Sequence, residues 1–157
     1  MARGNSIIVS SDPKGVFIEG VVSGTPKPGT IMEISSFTMV GGKFTWRAYQ
    51  PGTDGERRLI AVLLEDNLQG KTATDAYVDG TRCFLYVPQA GEELNCLLAD
   101  VAGTGDAHTA GETLIVDTGT GKLIATTGSP ESEPFRLLES LSALTADALA
   151  HVMYTGY

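Results

Sequence analysis

The chain has 157 residues, 42% of them hydrophobic and 19% charged, with 19 Gly and 7 Pro. Such a chain buries about two-thirds of its unfolded surface and folds without a metal or disulfide scaffold. Eleven basic residues against nineteen acidic give a net charge of -8, the wrong balance for nonspecific nucleic-acid binding.

The charge is uneven. Met1 to Gly91 holds nine acids and nine bases; Glu92 to Tyr157 holds ten acids and only Lys122 and Arg136. The second part repels nucleic acid and anionic membranes and offers a negative face to a partner. No apolar run approaches the ~20 residues of a membrane helix. The start, MARGNSIIVSS, has only the apolar run Ile7 to Val9, and is read as no secretory signal.

In chain order, short strands alternate with Gly and Pro turns. Ile7–Val9 is a first extended segment. In Val16–Val22, Val16, Ile18 and Val22 share one parity, with Phe17 and Val21 on the other. Gly24–Gly29 is a stiff turn, and Thr30–Ile34 a strand. Phe37–Val40 and Phe44–Tyr49 form a hairpin about Gly41-Gly42. Leu59–Leu64 is apolar throughout, as a central strand is. Thr72–Ala76 reads as a turn of helix. Thr81–Val87, Leu94–Leu98, Glu112–Val116 and Lys122–Thr127 complete the strands. Near the end the period changes. Leu137, Leu138, Leu141, Leu144 and Ala148 share one helical face, predicting a helix from about Glu133 to Ala148. Val152–Tyr154 is a last strand. No internal repeat is visible.

The expected fold is mainly β: a compact barrel or sandwich-like core with one short C-terminal helix and an extended N-terminal arm. Residues 1–14 form the arm and 15–157 the β-rich domain, with 15–80 and 81–157 as subdomains.

Catalytic signals are absent. Gly119–Lys122 fails the phosphate-loop spacing, because Val116 and Leu123 stand where Gly and Ser or Thr are required. Asp106 and His108 lack a matched nucleophile. Cys83, Cys96, His108 and His151 lack zinc-type pair spacing. The cysteines read as buried thiols. A disulfide is open to them if Thr81–Val87 pairs with Glu93–Leu98 as a hairpin. Glu65-Asp66, Glu92-Glu93 and Glu131/Glu133 read as solvated loop edges. The chain is expected not to be an enzyme and to hold no cofactor or metal.

Aromatic residues point to assembly instead. Trp46, Tyr49, Tyr154 and Tyr157 are candidate interface anchors. The N-terminal segment suits strand addition to an exposed sheet edge elsewhere.

Several stretches carry a family resemblance. They are Gly15–Gly20 (GVFIEG), Pro28–Ile34 (PGTIMEI), Leu59–Asp66 followed by Gly70-Lys71-Thr72, Tyr86–Leu98, Gly105–Thr126 and Val152–Tyr157. Together they resemble tailed-phage head decoration, or capsid cement, proteins. That resemblance implies a β-rich homo-oligomer, a trimer in the family's usual form, on the outer capsid surface of the virion. It implies synthesis in the host cytoplasm and the major capsid protein as partner, without direct contact with nucleic acid or membrane. It makes Ala2, Arg3, Asn5, Ile7 and Ile8 an attachment arm. The alternative reading is a carbohydrate- or host-surface-binding β domain, with Trp46, Tyr49 and Asp54 as its cluster.

Overall fold

A computed structural model describes residues 6–49, 59–66, 68, 72–99, 107–117, 119–125 and 134–156, with the backbone alone for 37, 38 and 40. Ten strands are defined among them. The first five are β1 (Val16–Val22), β2 (Ile31–Val40), β3 (Lys43–Ala48), β4 (Ile60–Leu63) and β5 (Arg82–Val87). The second five are β6 (Glu93–Leu98), β7 (Thr113–Val116), β8 (Leu123–Ala125), β9 (Phe135–Leu137) and β10 (Ala148–Tyr154).

Each set closes into its own barrel. The first has the strand order β1-β3-β2-β4-β5 and the second β6-β8-β7-β9-β10. The two orders are the same once five is added to every label. In both barrels the first and third strands pair in parallel, and every other neighbouring pair is antiparallel. The fold therefore repeats one topology twice, although no repeat is visible in the sequence. Closure removes most free edges, which open sheets must otherwise guard.

Side-chain alternation decides what each strand covers. In β4 every residue is buried. Ala61 and Leu63 join Val22, Met32, Trp46, Tyr77, Cys83 and Leu85 in one cluster. Ile60 and Val62 face the other way, into a cluster shared with Leu94, Cys96, Leu98, Leu114, Phe135 and Val152 of the second barrel. Ile31 and Tyr86 belong to that shared cluster too. The continuous apolar text of Ile60–Leu63 thus reflects a strand covered on both faces, while Leu59, just before it, is exposed.

Backbone bonds seal the seam between the barrels. Leu97 N donates to Gly29 O (2.9 Å), and Ile31 N donates to Gly121 O (2.7 Å). Gly29 and Gly121 have φ of 86° and 65°. A Cβ at Gly121 would stand 2.4 Å from Ile31 O, and one at Gly29 would stand 2.8 Å from a Leu149 methyl. Only glycine allows both the dihedral and the close approach.

Five expectations change. The C-terminal helix is not formed. Phe135–Leu137 is instead β9, bonded to β7 on one side and β10 on the other. Ser140, Ser142, Thr145 and Asp147 are weak helix formers, and the barrel needs a strand there to close. Leu137 points inward and is fully buried, while its neighbour Leu138 is exposed; the helical spacing of the leucines was a coincidence of loop and strand packing. The last strand starts at Ala148, four residues before the expected Val152.

Thr81–Val87 and Glu93–Leu98 do not form a hairpin. β5 pairs with β1 and β4, and β6 pairs with β10 and β8. Cys83 and Cys96 consequently lie in different core clusters, as buried free thiols. Thr72–Ala76 is a turn, closed by Thr72 N and Oγ1 donating to Asp75 Oδ2 (both 2.8 Å). Finally, Thr30–Ile34 and Phe37–Val40 are one strand, β2, whose pairing with β3 shifts register on either side of Ser36. A bulge of this kind bends a strand without ending it.

Candidate interaction surface

The N-terminal segment is an added strand, and its seat lies on its own chain. β6 meets its parallel neighbour β8 only at Leu98 and Leu123, which leaves the first half of β6 without a barrel partner on that side. Ser6–Ser10 fills the gap. Asn95 N donates to Ile7 O (2.8 Å), and Val9 N donates to Glu93 O (3.1 Å). Ile8 bridges Leu94 in antiparallel sense. Asn95 Nδ2 donates to Ser6 O, and Glu93 N donates to Ser10 Oγ. Ile7 is fully buried in the shared core and Ile8 is packed against it. Ala2, Arg3 and Asn5, the remaining candidate arm residues, lie outside the described residues.

A buried carboxylate ties the end of this arm to both barrels. Glu92 Oε1 accepts from the Tyr86 hydroxyl (2.6 Å), from Gly15 N (3.3 Å) and from Lys14 N. Its Oε2 accepts from Gln89 N (2.6 Å). Gly15 N also donates to the Tyr86 hydroxyl (2.7 Å). Burial alone would raise the Glu92 pKa. The Tyr86 hydroxyl and the amides of Gln89, Lys14 and Gly15 outweigh it, so the carboxyl lies below its ordinary value. Burial and the Glu92 bond push the Tyr86 phenol up to about 12. The sequence marked Glu92-Glu93 only as a solvated pair. Glu92 is buried, and nothing in its local text distinguishes it from the more exposed Glu93.

The acidic and histidine candidates are dispersed. Glu93 pairs with His151 Nε2 (2.9 Å), and His151 N donates to Glu139 Oε1 (2.7 Å). His108 Nδ1 lies 3.0 Å from Glu112 Oε2, while its backbone pairs with Leu141. Asp106, Glu131 and Glu133 lie outside the described residues. Among the described residues, no group of three or more His, Cys, Asp or Glu side chains is arranged to hold a metal ion. Gly119–Lys122 is a turn: Asp117 N donates to Lys122 O (2.7 Å), and Lys122 Nζ pairs with Asp147 (2.6 Å). A cleft of about 510 Å³ lies beside it, lined by Lys27, Thr30, Ala48, Leu97, Thr120 and Asp147 among others.

The aromatic candidates sit mostly inside. Trp46 is 1% and Tyr49 7% exposed. Neither can stack on a sugar without leaving the core. Tyr154 is partly buried, tilted against Phe135 at 5.4 Å. Tyr157 and Asp54 lie outside the described residues.

Among the described residues, the strongly exposed aromatic is one that the sequence placed in a strand without giving it a role. Phe17 is 61% and its neighbour Val16 58% exposed. Phe17 rests one side of its ring on Tyr86, centroids 5.0 Å apart. The sequence placed Val16 and Phe17 on opposite parities of one strand, and both are exposed at its start.

No family model matches the sequence, and no curated protein matches it. Among solved structures, the chain is similar to the N base of head fibre gp8.5 of bacteriophage phi29, with a TM-score of 0.53. The match covers 90% of this chain and 94% of that one, at 9% sequence identity. The fold is that of a phage head-fibre base. At 9% identity the likeness concerns backbone architecture and not side chains. The mainly β expectation is met, with closed barrels rather than a sandwich, and the resemblance to tailed-phage head decoration proteins holds at the level of the fold.

Proposed function

We propose that this chain is a structural protein of a tailed-phage head, seated on the outer face of the shell and stabilising it. The observation that carries the reading is the likeness to the head-fibre base over 90% of the chain. The packed barrel interiors agree with it, because small filled barrels serve as rigid blocks rather than ligand cages. In this reading the protein has no catalytic centre. Its partner is the major capsid protein, and it acts as a homo-oligomer, with a trimer as the expected form.

Stabilisation follows from linkage. A protein that binds the assembled shell and not its separated subunits favours the shell by about 2.7 kcal/mol per site at a hundredfold excess over Kd. Several sites engaged by one oligomer add avidity without any new kind of contact. The test is saturable co-sedimentation with expanded shells, followed by heating with and without bound protein. Saturable binding and a higher disruption temperature support the reading. Absence of binding at saturating concentration contradicts it.

A further inference from the structure

The shared strand order makes the two barrels each other's control. In the second barrel, the first half of β6 lacks a partner on its β8 side, and the antiparallel strand Ser6–Ser10 covers it. In the first barrel, β1 stands where β6 does. It meets its parallel neighbour β3 only through Val21 and Val22. Among the described residues, nothing pairs with Val16–Gly20 on that side.

The free backbone groups can be assigned. Val22 N donates to Thr81 O, and Gly80 N donates to Val22 O (both 2.9 Å), so Val22 turns its amide groups to the β5 side. Ser23 N instead donates to Trp46 O (2.7 Å). Antiparallel alternation then turns Gly20, Ile18 and Val16 to β5, and Phe17 and Glu19 outward. The outward edge carries the exposed side chains of Val16 and Phe17. Natural edges are normally blunted by charge, proline or cover. Here the only charge on the open stretch is Glu19, bound to Lys43 (3.3 Å) and Arg82 (3.6 Å). That triad is positive by one, on a chain whose net charge is -8.

We propose that this edge of β1 takes up an extended segment of the shell protein, running antiparallel to β1. Ser6–Ser10 on β6 displays the chemistry that fits: β-branched aliphatic residues with small polar flanks. The positive triad adds a carboxylate near the end that meets Glu19. The occupant comes from outside the chain, because Ser6–Ser10, the segment that fills the equivalent edge, is already engaged on β6 in this copy and in any second one; on the capsid reading the shell supplies it. The inference rests on the capsid reading. Strand addition supplies affinity through backbone bonds and specificity through alternate side chains.

The test uses the whole chain bound to expanded shells, read by amide hydrogen exchange and co-sedimentation. The Phe17 and Glu19 amides are expected to slow at least tenfold on binding, while Ile18, already bonded to β5, stays unchanged. Phe17→Pro removes an outward amide at a position where an edge strand tolerates proline. It is expected to bind shells about tenfold more weakly than Phe17→Ala, which loses the same ring contact with Tyr86 but keeps the amide. If the wild-type chain binds but its Phe17 and Glu19 amides stay unprotected, the edge proposal is overturned and the capsid reading stands. If Phe17→Pro fails to fold, the wild-type exchange pattern decides alone. If the wild-type chain does not bind shells, both fall.

Discussion

Glu92 is the residue on which most local order converges. It accepts from one hydroxyl and three backbone amides, drawn from the arm linker, β5 and the turn before β6. A charge-assisted hydrogen bond contributes about 1.5–3 kcal/mol, and leaving its donors unsatisfied costs a similar amount. Glu92→Gln is therefore expected to destabilise the chain by about 1–3 kcal/mol in urea denaturation at neutral pH. The pH dependence has a definite sign. The folded pKa of Glu92 is depressed, so its contribution is present in full above the unfolded-chain value and is lost as pH falls through the folded value. The stability difference between wild type and Glu92→Gln should shrink in acid; a difference independent of pH would remove Glu92 from this role. The sequence could not reveal the residue, because three of its donors come from backbone amides, which leave no mark in side-chain text. Trp46 and Tyr49 show the opposite bias. An aromatic beside a Gly-rich loop looks available in text, yet both are core side chains.

At the scale of elements, the text was legible wherever local pattern and long-range pairing agree. β1 matches the expected Val16–Val22 in both bounds, and the hairpin of β2 and β3 turns on Gly41-Gly42 as expected. The reading failed where pairing overrode local period. The stretch from Phe135 carries leucines at helical spacing, but β7 and β10 present two unpaired ladders that only a strand satisfies. Adjacent leucines discriminate the two structures. As a strand, Leu137 points inward and Leu138 outward; on a helix both lie on the apolar face. Leu137→Ala is expected to cost about 2–5 kcal/mol, and Leu138→Ala at most about 0.5 kcal/mol. Similar losses from both, measured by urea denaturation, would argue for the helix. The pairing of β5 with β1, and not with β6, was equally hidden. Turn text tells where a chain reverses but not which barrel it joins.

The described residues form a pair of barrels that share one of two core clusters. Ile31, Ile60, Val62 and Tyr86 of the first barrel pack in the same buried cluster as Leu94, Leu114 and Phe135 of the second. Neither barrel can lose the other without exposing that surface, so unfolding should be a single cooperative step. Coincident transitions by tryptophan fluorescence, which reports Trp46 in the first barrel, and by far-UV dichroism, which reports all strands, are the expected result. Separate midpoints would mean that the barrels are energetically independent. The repeated topology was invisible in the text, because barrel topology constrains which positions are apolar and leaves their identities free. The same freedom lets a fold persist at 9% identity to a phage head-fibre base.

The central claim is that these two barrels form a structural block on a phage head. Electron cryo-microscopy of expanded shells incubated with the purified chain tests it most directly. The account predicts ordered density at repeated outer-surface positions, into which both barrels fit. Bare shells at saturating protein concentration would contradict it.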